Sequence, residues 1–230
     1  MDTAIFEGLE RGRLRRVLGR SLGSHVMERL LANPNVDILK GERLVLSVLY
    51  SDLRGSTSLA EHLNPDVLVE FMNDYLARMA NVVLDKGGTL DKFVGDEVMA
   101  LFGAPFAQPD HALRSVQTGL AMQQAFAELA KQWVARGVQA AGLGVGIATG
   151  ELIAGEFGCE QRTDYSVIGR AANLGARICA GAHAGQVLIS QATYDLVKDW
   201  AQVEPVPGQH FKGIDHDVTV YEVMRLLKSV

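Results

Sequence analysis

The chain has 230 residues, 48% hydrophobic and 21% charged, enough for one sizeable globular domain with a short extension. Its net charge of -5 excludes the broad basic surface of a generic nucleic-acid binder, so no nucleic-acid partner is expected. No apolar run is long enough for a transmembrane segment, no secretory signal follows Met1, and Cys159 and Cys179 form no CxxC pair; a cytoplasmic protein with free thiols is expected.

Residues 1–40 read as an N-terminal helical extension or linker, and residues 41–230 as the domain proper. Arg11, Arg13, Arg15, Arg16 and Arg20 form a basic run that could touch a phosphate or an anionic membrane. No continuous apolar face accompanies it, so a solvated face is the plainer reading. Ser24 opens a short predicted helix through Leu31, stopped by Asn33-Pro34.

Leu44 to Asp52 is nearly continuously apolar and reads as a strand buried on both faces. A Gly-containing loop and a helix follow. Asn64-Pro65-Asp66 opens a second helix, with a cap, Pro in the first turn and an acid near the positive end. Its apolar residues, Leu68, Phe71, Met72, Tyr75, Leu76, Met79, Val82 and Val83, recur at helical spacing, and Gly87-Gly88 stops it. Two apolar runs, through Val94 and from Val98, then flank Gly95-Asp96 as a β-hairpin. Asp96 reads either as a turn residue or as a displayed carboxylate.

Pro109-Asp110 opens a long helix with Leu113, Val116, Leu120, Leu129 and Trp133 on its buried side. Strands are expected at Gly142 to Thr149, Gly150 to Phe157 and Arg162 to Ile168, and the glycines of the first suggest close approach by another backbone. A helix from Ala171 to Cys179, a strand from Gln186 to Ile189 and a helix capped by Ser190 follow. Strands near Gln209 to Lys212 and from Val218 to Val223 end the pattern. The irregular alternation says α+β, with helices packed on a mostly antiparallel sheet. The histidines do not cluster, and Asp215-His216-Asp217 reads as a solvated loop.

Three stretches in this order, LVLSVLYSDLRGSTSLAEHL, GGTLDKFVGDEVMALF and DYSVIGRAANLGARI, resemble the class III nucleotidyl cyclase catalytic domain, in its bacterial adenylyl cyclase form. The resemblance runs from Arg43 to Arg225. It implies a ferredoxin-like (palm-type) core within the α+β class. It also implies cyclisation of ATP to 3′,5′-cyclic AMP and pyrophosphate for intracellular signalling. Two divalent cations, Mg²⁺ or Mn²⁺, are implied with it.

By the same resemblance Asp52 and Asp96 are the metal-binding aspartates, with the Leu53 carbonyl as a further ligand. The loop Arg54, Gly55, Ser56, Thr57 would receive the β- and γ-phosphates through backbone N–H groups, although the family usually carries Phe at the position of Ser56. Lys212 matches a lysine that reaches the triphosphate. Asn173 and Arg177, four apart on one helix face, match the pair that orients the ribose and neutralises the α-phosphate. Lys92 and Ser166 take the base-selecting positions. Guanylyl cyclases carry an acid in place of Lys92, so a cation there favours ATP; adenylyl cyclases commonly carry Asp or Thr in place of Ser166.

The resemblance further implies a homodimer with two shared active sites. Asp52 and Asp96 of one chain would meet Lys92, Ser166, Asn173, Arg177 and Lys212 of the other. A sensory domain commonly precedes this domain in the family, so an upstream or trans-acting regulatory domain is a further expected partner. A guanylyl or promiscuous cyclase is one alternative. A catalytically inactive module that only dimerises or binds nucleotide is another, but such a module should have lost an aspartate or the Asn173–Arg177 pair. The GGDEF signature of a diguanylate cyclase is absent.

Overall fold

The computed structural model describes residues 41–159, 162–207 and 218–227. Along them run strand β1 (Glu42–Arg54), helices α1 (Ser56–His62) and α2 (Pro65–Asp85), strands β2 (Thr89–Val94) and β3 (Glu97–Phe102), and helix α3 (His111–Val134). Strands β4 (Gly142–Cys159) and β5 (Arg162–Ile168), helix α4 (Arg170–Gly181), strand β6 (Val187–Ser190), helix α5 (Gln191–Val197) and strands β7 (Ala201–Val206) and β8 (Val220–Leu226) complete the set. The strands form one sheet in the order β2-β3-β1-β4-β6-β8-β7, with β5 paired to β4. Every pairing is antiparallel except that of β4 with β6. The α+β, mostly antiparallel architecture expected from the sequence is the one observed.

The continuous apolarity of β1 has a direct cause, since both faces of the sheet are covered. Leu49 and Leu53 point into the core under α2 and α3, while Leu46, Val48 and Tyr50 point into a second core under α4. β3 divides the same way, with Val98, Ala100 and Phe102 on one side and Met99 and Leu101 on the other. This is the period-2 alternation of a strand whose two faces are both packed.

Helix α2 starts where the sequence signals it, because the Asn64 side chain accepts from the Asp66 N–H at 2.9 Å. Phe71, Tyr75, Met79 and Val83 form its fully buried stripe at a spacing of four. Phe71 meets Trp133 of α3 edge-on with ring centroids 5.5 Å apart, and Tyr75 meets Phe126 at 6.2 Å. The Trp133 indole N–H is satisfied by Asp74 at 2.9 Å, so the aromatic seam between the helices buries no orphan donor.

On the other face α4 lies directly on β4. A Cβ built on Gly146 would fall 2.1 Å from the backbone N of Cys179, so only glycine lets helix and strand touch. Gly150 does not divide β4 as expected. Residues 142–159 form one strand, paired with β1 from Arg54↔Gly142 to Glu42↔Ala154. Strand β7 was not anticipated from the sequence, and the strand expected near Gln209 to Lys212, like the helix from Ser24, lies outside the described residues. Among the described residues no helix is long and apolar enough to cross a membrane.

Candidate active site

The β2–β3 hairpin turns through Gly95-Asp96, between the paired residues Val94 and Glu97. Gly95 has φ 64°, the left-handed conformation that glycine adopts without steric cost. The turn is pinned by the buried Tyr75, whose hydroxyl donates to the Asp96 carbonyl at 3.0 Å. The Asp96 side chain reaches the end of β1 and accepts from the Leu53 N–H at 3.2 Å. Asp52 is two residues short of the end of β1 rather than at it.

Asp52 and Asp96 meet. The Asp52 carboxyl is pushed up to about 6 by burial first, and then by the hydrogen bond and charge of Asp96 beside it. The Arg54 guanidinium, 3.2 Å from Asp52 Oδ2, offsets part of this. Glu97 is also raised, by burial and then by Asp52 and Asp96. The tip thus gathers more negative charge than the protein neutralises. Hard carboxylate oxygens in electrostatic conflict are a donor set that suits Mg²⁺ or Mn²⁺. Glu97 was not anticipated, although its position next to Asp96 in the hairpin was signal enough.

The Arg54 side chain turns back into the protein, donating to the Cys179 carbonyl at 3.0 Å and tying the end of β1 to α4. Gly55, with φ 77°, precedes α1 and gives it no side-chain cap. Thr57 is exposed and Ser56 half-buried at the start of that helix. What the loop offers a phosphate is its backbone N–H groups.

A second constellation forms at a bulge in the middle of β2. The register of β2 on β3 slips between Leu90 and Lys92, leaving Asp91 in a bulge. The Asp91 side chain is fully buried, and its Oδ2 accepts from the Ser166 hydroxyl at 2.6 Å. Its Oδ1 lies 3.5 Å from Lys92 Nζ and has no hydrogen-bond partner. Burial pushes the Asp91 carboxyl up, while the Ser166 hydroxyl and the Lys92 charge act in the opposite direction. Ser166 sits on β5 opposite Gly155 of β4 and is 7% exposed. Lys92 and Ser166 are thus brought together through Asp91, a residue the sequence reading passed over. Its only trace was a break in alternation, with Leu90 and Phe93 three residues apart.

Asn173 and Arg177 share one face of α4, Asn173 exposed and Arg177 half-buried. The opposite face, with Ala171, Ala172, Gly175, Ile178 and Cys179, is buried. Lys212 lies outside the described residues.

A family model described as the adenylate and guanylate cyclase catalytic domain matches residues 42–224. A structure of the adenylyl cyclase CyaB from P. aeruginosa is 39% identical, with TM-score 0.79 over 81% of this chain and 97% of that one. The structure of the guanylyl cyclase Cya2 is 40% identical, with TM-score 0.76 over 82% and 95%. An adenylate cyclase of Anabaena cylindrica is 30% identical over 201 residues, 82% of this chain and 38% of the relative. The chain spans between 29% and 40% of the length of the curated relatives it matches.

Proposed function

The chain belongs to the adenylate and guanylate cyclase catalytic domain family, and we propose that it converts ATP to 3′,5′-cyclic AMP and pyrophosphate. The observation that carries this reading is the meeting of Asp52 and Asp96, two carboxylates that the fold forces together without enough positive charge to neutralise them. Asp52 and Asp96 would hold two divalent cations. When bound, these supply a lowered pKa at the ribose 3′-hydroxyl and neutralisation of the triphosphate.

The remaining roles fall to the chain's own groups. The backbone N–H groups of Gly55, Ser56 and Thr57 bind the terminal phosphates, with Lys212 as a further cation. The 3′-hydroxyl gives up its proton to solvent, its oxygen bonds the α-phosphorus, and the bond to the bridging oxygen breaks as pyrophosphate leaves. Arg177 compensates the charge that develops on the α-phosphate, and Asn173 orients the ribose. Lys92 donates to a ring nitrogen of adenine and Ser166 accepts from its amino group. Asp52 and Asp96 work with Lys92, Ser166, Asn173 and Arg177 of a second copy, so a C₂ homodimer has two equivalent sites.

A guanylyl cyclase is the second reading, favoured by the 40% identity to Cya2. Lys92 argues against it, because an ammonium has no acceptor for the guanine N1–H. Incubation with ATP and with GTP, each with Mg²⁺ or Mn²⁺, followed by chromatography, decides between them. Cyclic AMP as the main product is expected. Cyclic GMP as the main product would establish the second reading, and no cyclic product from either nucleotide would refute both.

A further inference from the structure

The hydroxyl of Ser166 can in principle serve a base as donor or as acceptor, because its proton rotates freely. Here it is not free. It donates to Asp91 Oδ2 at 2.6 Å, a short bond to a fully buried carboxyl group. With the proton committed there, only lone pairs of Ser166 Oγ remain for anything else that approaches. The other oxygen of Asp91 makes no hydrogen bond and faces the Lys92 ammonium at 3.5 Å. One carboxyl group therefore fixes an acceptor at position 166, beside the donor that Lys92 carries.

That pair of polarities matches one purine edge. Adenine offers an amino N–H and, beside it, an unprotonated ring nitrogen, which are met by an acceptor and a donor. Guanine offers a carbonyl and a ring N–H, which would face lone pairs and an ammonium. The bulge at Asp91 allows this geometry. A regular strand would send Asp91 and Lys92 to opposite faces, whereas the slipped register lets both meet near Ser166.

We propose that Asp91 is the specificity-determining positioning residue of this site, fixing the Ser166 hydroxyl as an acceptor so that a 6-aminopurine is taken and a 6-oxopurine refused. Asp91 touches no substrate and acts through Ser166. The proposal rests on the reading of Lys92 and Ser166 as base-facing.

The test compares kcat/KM for ATP, GTP and inosine triphosphate, the last carrying guanine's carbonyl and N1–H without its 2-amino group. Wild-type protein is expected to use inosine triphosphate at least ~10-fold less well than ATP. Asp91→Asn, which can either accept from or donate to the hydroxyl, is expected to narrow that gap by ~10-fold. In a Ser166→Ala background the same substitution should change the ratio by less than about 2-fold, since no hydroxyl remains to be turned. A purely structural Asp91 would instead lower turnover of all three nucleotides together, and that result would overturn the proposal.

Two outcomes separate this inference from the reading beneath it. If Ser166→Ala and Lys92→Glu move the ATP/GTP ratio and Asp91→Asn does not, Asp91 has no such role. If neither Ser166→Ala nor Lys92→Glu moves it, the base is read elsewhere and both ideas fall. Should Asp91→Asn not fold, the wild-type comparison still decides. Equal use of ATP and inosine triphosphate would mean that the hydroxyl turns freely, contrary to the proposal.

Discussion

The β2–β3 hairpin carries acids at its tip and at a bulge within β2, and the two places treat them differently. At the tip, Asp96 meets Asp52, with Glu97 adjacent, and one arginine offsets part of their charge. At the bulge, Asp91 is buried, yet a hydroxyl and an ammonium of the same chain face it. The tip is left in conflict, as a site is when something from outside must complete it. At the bulge the chain's own hydroxyl and ammonium compensate the acid, one oxygen by a hydrogen bond and the other by a facing charge, as for a group whose work is to hold its neighbours. Tip and bulge also face different elements, Asp96 the end of β1 and Asp91 the strand β5.

The largest expected effect comes from breaking the tip. Asp96→Asn keeps the shape of the turn, and the Tyr75 bond to the backbone carbonyl is untouched. Cyclase activity should fall by at least ~10²-fold, as when one electrostatic stabiliser of a transition state is lost, while circular dichroism shows an intact fold. Near-normal activity in folded Asp96→Asn protein would show that the tip is not the cation site.

A smaller effect is expected at the bulge. Lys92→Glu replaces a donor by an acceptor and should lower the ATP/GTP ratio in kcat/KM by at least ~10-fold, with the Mg²⁺ dependence of the residual activity unchanged. A changed Mg²⁺ dependence would mean that tip and bulge are not separate devices.

The smallest effect is on stability. Folding raises the Asp52 carboxyl from 3.8 to about 6, so the folded protein holds this proton more tightly than the unfolded chain. Its stabilising contribution is present below 3.8 and is lost as pH rises towards about 6. Without divalent cation, the melting temperature of wild type relative to Asp52→Asn should therefore decline across that interval. At pH 7, Mg²⁺ should raise the wild-type melting temperature and leave that of Asp52→Asn nearly unmoved. Equal Mg²⁺ shifts in both proteins would count against Asp52 as a ligand.

The parts legible in the sequence were those with local signals. Asn64 and Pro65 announce α2, Gly95-Asp96 announces the hairpin, and the unbroken apolar run of β1 announces burial on both faces. The parts missed depend on tertiary context. Gly150 resembles a break, yet it sits in the ladder opposite Leu46, where a long pairing with β1 carries the strand through. Pro205 argues against a strand at Ala201–Val206, but β7 lies at the edge of the sheet, where proline is tolerated. Asp91 and Ser166, 75 residues apart, are joined only through a bulge that no turn residue marks. The candidate cation residues could be named from motifs, whereas the residue that sets the polarity of the base contact needed the fold.

The central claim is that Asp52 and Asp96 of one chain and Lys92, Ser166, Asn173 and Arg177 of a second copy complete one active site, so that a dimer has two. Mixing two inactive variants tests it directly. Asp52→Ala alone and Arg177→Ala alone should each be inactive. In a mixed dimer one site collects both substitutions and the other collects neither. With free exchange of subunits, half the dimers are mixed and each has one good site, so roughly a quarter of wild-type activity should return. Folded, exchanging variants that recover no activity on mixing would contradict the shared site.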